Sequence, residues 1–133
     1  MGAGDIHRSL LADADLSRGI VHVEEIPSRD AEYGSLERDL PAPLRQYLDS
    51  RNIRLYSHQC EAIKAFRDQE SVILTTSTAS GKTLAFALPI FERLLEEPDA
   101  TFLLLYPTKA LTNDQLRAFQ SLGEETGIHA FPA

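Results

Sequence analysis

Cysteine is almost missing from this 133-residue chain: Cys60 stands alone, which excludes an intrachain disulfide and any multi-cysteine zinc cluster. Paired histidines are missing as well. His7, His22, His58 and His129 are scattered singly, without the H-E-x-x-H spacing that places two imidazoles on one helix face around a metal. No apolar run approaches the ~18 residues a membrane-spanning helix needs; the longest is Leu103–Leu105 with its neighbours. Near the start, Asp5, Arg8, Asp13, Asp15 and Arg18 interrupt every short apolar stretch. No hydrophobic signal-peptide core is left there, and a cytoplasmic location without membrane contact is the expectation.

What is present is ordinary for a globular domain: 43% hydrophobic and 25% charged residues. The length suits one domain of usual size and falls short of two. A net charge of −7 excludes a surface that grips nucleic acid everywhere. It leaves room for a local site, because the acidity is uneven. Residues 1–50 hold ten acids and five bases, whereas residues 51–133 hold ten acids and eight bases.

Residues 1–39 read as an irregular lead-in, punctuated by Gly2, Gly4, Gly19, Pro27 and Gly34. A helix over about Ile6–Leu16 and an extended piece over Ile20–Val23 are its only regular candidates. Leu40-Pro41-Ala42-Pro43 then interrupts the chain, and Leu44 and Leu48, four apart, predict a short helix. From Leu55 onward the pattern is regular. Ser57 can cap a helix whose inner face is Ala62, Ile63 and Phe66. Ser71–Leu74 is a short β-branched run that predicts a strand buried on both faces. Lys82–Glu97 follows as a helix with a stripe of Leu84, Leu88, Phe91 and Leu95, closed by Pro98. Thr101–Tyr106 predicts a second buried strand, Leu111–Leu122 another helix, and Gly127–Phe131 a third strand. Strand, helix, strand, helix, strand is the order of an α/β fold with a parallel sheet flanked by helices.

The junction between the first strand and its helix reads Thr76-Ser77-Thr78-Ala79-Ser80-Gly81-Lys82-Thr83. A loop that leaves a strand and enters a helix turns successive backbone N–H groups inward at the positive end of the helix dipole, which suits a phosphate. In the G-x-x-x-x-G-K-[ST] pattern the lysine reaches the β and γ phosphates and the hydroxyl ligates Mg²⁺; here those residues are Lys82 and Thr83. Gly81 is present where the backbone comes closest to phosphate. The first glycine of that pattern is absent, since position 76 is threonine.

A loop beginning on another small residue resembles the helicase version, A-x-T-G-S-G-K-T, with Thr78, Ser80, Gly81, Lys82 and Thr83 matching and Ala79 in place of a glycine. Two more segments stand in order around it, Leu55-Tyr56-Ser57-His58-Gln59 upstream and Tyr106-Pro107-Thr108-Lys109-Ala110-Leu111 with Asp114-Gln115 downstream. Together the three resemble the Q motif, motif I and motif Ia of the superfamily 2 DEAD/DEAH-box helicases. Within that superfamily they are most similar to a DNA-repair branch whose full-length members carry a cysteine-rich, zinc-binding C-terminal domain. The resemblance covers roughly residues 20–133.

It implies part of a RecA-like P-loop NTPase domain over residues 40–133, with ATP and Mg²⁺ as cofactors. Thr78, Ala79, Ser80, Gly81, Lys82 and Thr83 would hold the nucleotide phosphates, with Lys82 and Thr83 as the catalytic pair and Thr83 on Mg²⁺. Gln59 would read the adenine edge, since a carboxamide both donates and accepts. Where relatives stack an aromatic on adenine this chain has Ala42, leaving Tyr56 or Tyr47 as substitutes. Pro107, Thr108 and Lys109 would hold a nucleic-acid backbone, DNA rather than RNA by the branch resembled. Asp114, Gln115 and His58 read as packing or capping residues.

Hydrolysis needs an acidic pair on a later strand to hold Mg²⁺ and place the attacking water, and none follows residue 83. The expectation is therefore the N-terminal part of a helicase motor, with the rest of the motor outside this chain, binding ATP without turnover. The alternatives are a stand-alone ATP-binding regulatory module and, further off, a P-loop kinase.

Overall fold

A computed structural model describes residues 3–19, 30–76 and 81–130. The expected extended piece at Ile20–Val23, loop residues 77–80 and the end of the third expected strand lie outside the described residues. The chain divides into two compact units, Met1–Asp30 and Ala31–Ala133.

In the first unit the single helix expected over Ile6–Leu16 is two, α1 (Ala3–Ala12) and α2 (Ala14–Ser17). The break falls at Asp13, whose carboxylate accepts from the Asp15 N–H at 2.9 Å. That local bond offers the backbone an alternative to continuing the helix.

The second unit is built from α3 (Ala42–Ser50), α4 (Ser57–Arg67), α5 (Lys82–Glu96) and α6 (Lys109–Thr126). Helix α3 starts directly after Pro41, with Pro43 in its first turn, where a missing N–H costs nothing. It buries Leu44 and Leu48. Helix α4 is capped one residue earlier than expected: Tyr56, not Ser57, is the N-cap. Ala62 and Ile63 face inward as expected, while Phe66 sits at the rim. Helix α5 is buried on most of its circumference, through Ala85, Ala87, Leu88, Ile90, Phe91 and Leu94. Leu95, expected on the buried stripe, is exposed one turn from the helix end. The helix stops at Glu96, and Glu97, ahead of Pro98, takes the extended φ of −132° that a following proline favours. Gly127 ends α6 at φ +69°, and the turn brings Ile128 into the core beside Phe91 and Leu122.

One buried polar pair fastens α4 to α5. Arg67 donates to both Glu92 oxygens, at 2.8 and 2.7 Å, and its remaining N–H groups reach the carbonyls of Arg38 and Asp39 at 2.6 and 3.3 Å. The carboxylate beside it raises the Arg67 pKa, against the opposing effect of burial.

The expected strands take a different form. Among the described residues none is in a β-ladder, and the pairing present is an isolated antiparallel bridge between Tyr33 and Tyr56. Segments 71–76 and 101–105 keep the alternation of an extended chain, yet the expected double-sided burial is not there. Ile73 is 89% exposed, Leu103 83% and Leu105 82%, whereas Leu104 between them is half covered. A parallel strand is stable only with hydrogen-bonded neighbours and both faces covered. The described residues supply a cover for one face.

Candidate nucleotide and nucleic-acid site

Helix α5 begins at a glycine in the left-handed region, Gly81 with φ 69° and ψ 34°. The left-handed backbone favours glycine, and a β-carbon there would lie 2.6 Å from Gln59 Nε2 and displace that amide. Gly81 is the N-cap and has no side chain with which to cap, and among the described residues no side chain does so in its place. The dipole and leading N–H groups of such a helix start suit an anion, the arrangement a phosphate loop requires.

Gln59 is buried, 2% exposed, so it is not a water-facing residue of the first turn of α4. Its oxygen accepts from the Tyr56 N–H at 2.8 Å, and its Nε2 donates to the Gly81 carbonyl at 2.8 Å. Both ends of the carboxamide are spent on backbone, one on the start of α4 and one on the start of α5. The Lys82 ammonium donates to the Thr76 carbonyl at 2.7 Å, closing the loop across its own ends. The Thr83 hydroxyl points to α6, donating to Gln115 Oε1 at 3.4 Å. Gly81, Lys82 and Thr83 are thus brought together with Gln59; Thr78, Ala79 and Ser80 lie outside the described residues.

The aromatic groups form a ladder next to this turn. Tyr33 and Tyr56 stack at 5.3 Å between centroids, and Tyr56 and His58 at 5.6 Å. Arg54 covers Tyr33 at 4.2 Å. Tyr56, one of the two aromatic substitutes considered for adenine, already stacks with two other rings. Tyr47 lies under Arg51 at 5.0 Å. Nothing local in the sequence links Tyr33 to Tyr56; the bond from Gly34 N–H to Leu55 O and that from Ser57 N–H to Glu32 O bring them together.

At the start of α6 the Thr108 side chain is the N-cap, accepting from the Leu111 N–H at 3.2 Å. A hydroxyl that accepts still has its hydrogen to give, so capping leaves Thr108 able to donate to a phosphate. Pro107 and Lys109 beside it are exposed. Capping therefore falls to Thr108 and not to Asp114, which is exposed with Arg117 4.0 Å away. The Tyr106 hydroxyl, just ahead of Pro107, is buried with no hydrogen-bond partner among the described residues; burial raises its pKa. The role of Gln115 at Thr83 was not readable from the sequence, because the two are 32 residues apart.

A helix start on a left-handed glycine with an adjacent ammonium and hydroxyl fits a magnesium-bound nucleoside triphosphate. Phosphate oxygens would replace the Thr76 carbonyl as partner of Lys82, and Thr83 carries the oxygen a hard cation accepts.

These features suit a phosphate-binding loop, and comparison with known proteins gives the family. Residues 56–131 match the family model described as DEAD/DEAH box helicase, and the chain belongs to that family. Among curated relatives it is similar to the ATP-dependent helicase HRQ1 of Saccharomyces cerevisiae, 45% identical over 76% of this chain and 9% of the relative. It is also similar to the uncharacterized ATP-dependent helicase YprA of Bacillus subtilis, 32% identical over 90% of this chain and 16% of the relative. Among solved structures it resembles the DUF1998 helicase MrfA bound to DNA and AMPPNP. The TM-score is 0.79 at 31% identity, covering 95% of this chain and 18% of that one. The chain thus spans less than a fifth of the length of each.

Proposed function

We propose that this chain is the ATP-binding portion of an ATP-dependent DNA helicase, taking ATP–Mg²⁺ at residues 78–83 and a nucleic-acid backbone at Pro107, Thr108 and Lys109. The observation that carries the reading is the start of α5. There a left-handed Gly81 presents Lys82 and Thr83 while Gln59 from α4 holds its carbonyl at 2.8 Å. Adenine would compete for the Gln59 carboxamide, so the residue that recognises the base also releases the loop. Gly81 is the point of exchange.

Bound Mg²⁺ would neutralise charge on the β and γ phosphates; Lys82 and Thr83 orient that end of the nucleotide. At motif Ia the backbone amides opening α6 and the Thr108 hydroxyl suit a phosphate diester, with Lys109 adding charge. DNA is favoured because MrfA was crystallised with DNA. Extended segments 71–76 and 101–105 are the edges on which the parallel sheet of a RecA-like domain would form.

Hydrolysis is not expected of these residues, since no strand-ending acidic pair follows Thr83. Calorimetric titration with ATP in the presence of Mg²⁺ tests the assignment: the native chain binds, and Lys82→Ala binds at least tenfold more weakly, about the worth of one charge-assisted contact. Equal binding by the two removes the phosphate site. Phosphate release by the native chain removes the inactivity.

A further inference from the structure

The Thr83 hydroxyl donates its hydrogen to Gln115, a residue no part of the phosphate-loop pattern includes. We infer that Gln115 is a positioning residue for the cation: its carboxamide oxygen takes the Thr83 hydrogen and so turns the hydroxyl lone pairs toward the site where Mg²⁺ binds. This rests on the reading of Lys82 and Thr83 given above.

A hydroxyl that ligates a cation does so through its oxygen and keeps its hydrogen. The hydrogen must then point away from the metal, where it needs an acceptor, because a polarised O–H left unsatisfied in a half-buried place costs more than a neutral one. Gln115 supplies that acceptor from α6, and the separation of 3.4 Å is longer than the usual range of about 2.5–3.0 Å for an O–H···O bond. The hydroxyl is thus aimed without being locked. A carboxamide has no titration in the physiological range, so the aim is independent of pH. Both residues are half-buried, which shields the contact from competition by bulk water. Gln115 lies on the same helix as Thr108 and Lys109, so the residue aiming the cation ligand belongs to the element that opens the nucleic-acid segment.

The test is nucleotide binding by the whole chain, measured by calorimetry with ATP in Mg²⁺ and again in EDTA, so that the gain due to the cation is isolated. Gln115→Leu keeps the bulk and removes the acceptor; it is expected to lose about tenfold of the Mg²⁺-dependent gain while binding in EDTA stays unchanged. Gln115→Glu, which restores an accepting oxygen, recovers the gain. In a Thr83→Val background Gln115→Leu has no further effect, because the two residues act as a unit. Should Gln115→Leu not fold, the Glu variant decides on its own: a Glu variant that loses the Mg²⁺ gain overturns the inference. Equal weakening in Mg²⁺ and EDTA assigns Gln115 a structural role and also overturns it, as does a Leu variant with the full gain. Absence of ATP binding by the native chain overturns the phosphate site and this inference together, whereas native binding with an indifferent Gln115→Leu overturns the inference alone.

Discussion

Helices α5 and α6 each follow an extended apolar segment, and their starts are finished in opposite ways. Helix α6 is capped by its own Thr108. Helix α5 begins on Gly81, which has no side chain to cap with. The two are also anchored differently. Helix α5 is fastened to α4 by the largely buried Arg67–Glu92 pair, while the polar anchor of α6 is the surface pair Arg51–Glu125 at the end of α3, beside the packing of its Phe119 against Phe86 and Phe91 of α5. The difference has a physical logic. A helix start left open for a ligand forgoes the stabilisation of a cap, typically about 1 kcal/mol, and keeps its place only if packing elsewhere holds it. The capped helix holds itself locally and can accept a weaker anchor.

Breaking the anchor of α5 gives the largest expected effect. Glu92→Ala leaves a guanidinium at a largely buried position without its carboxylate and is expected to cost about 3 kcal/mol or more, read as a lower urea midpoint. Glu125→Ala at the α6 anchor should shift the midpoint much less. Equal shifts would show that the two anchors do not differ in kind. Gly81→Ala follows. The left-handed φ costs an ordinary residue about 1 kcal/mol or more, and displacing the buried Gln59 amide adds about as much again. ATP binding should fail in the same variant even where it remains folded. Thr108→Ala is smaller, about 1 kcal/mol for a lost cap, with Thr108→Ser close to the parent. The same change should weaken oligonucleotide binding, since the hydroxyl that caps also has the hydrogen a phosphate would accept. If stability falls and oligonucleotide binding stays, Thr108 is a cap and nothing more.

How far the sequence disclosed this depends on the range of the interactions involved. Helices α3 to α6 rest on apolar residues three and four apart, and Leu44, Leu48, Ile63, Leu88, Phe91 and Leu122 are buried as that spacing implies. Errors came at the ends, where one turn lies outside the core: Phe66 and Leu95 keep the spacing and are exposed. The extended segments were legible as apolar and β-branched, but a ladder is made with partners far along the chain. Ile73, Leu103 and Leu105 show how little local pattern says about what covers a face. Gly81-Lys82-Thr83 was readable as the start of a helix because that pattern is local. Gln59 was readable as a group that donates and accepts, but not as one joined to Gly81, 22 residues away. Arg67 and Glu92, 25 residues apart, offered no signal that they meet.

The gentlest way to sharpen the comparison is through pH, because the α6 anchor titrates. The Arg51 side chain, helped by Ser121, holds the Glu125 carboxyl below its ordinary value of 4.5. Because the folded-state pKa is the lower one, the unfolded chain takes up the proton first as pH falls. The stabilisation is complete above the ordinary value and is lost as pH drops through the depressed one. Glu125→Gln removes this dependence. Melting temperatures of the two proteins should differ by a small constant amount above about pH 5.5, a unit above the ordinary value, and converge below pH 4.5. Because both side chains are substantially open to solvent, 0.5 M salt should shrink the constant difference, as screening within about a nanometre requires. A gap that persists in acid, or ignores salt, would mean that Glu125 supports α6 by packing and not by charge, and the contrast with the buried anchor of α5 would then lose its basis.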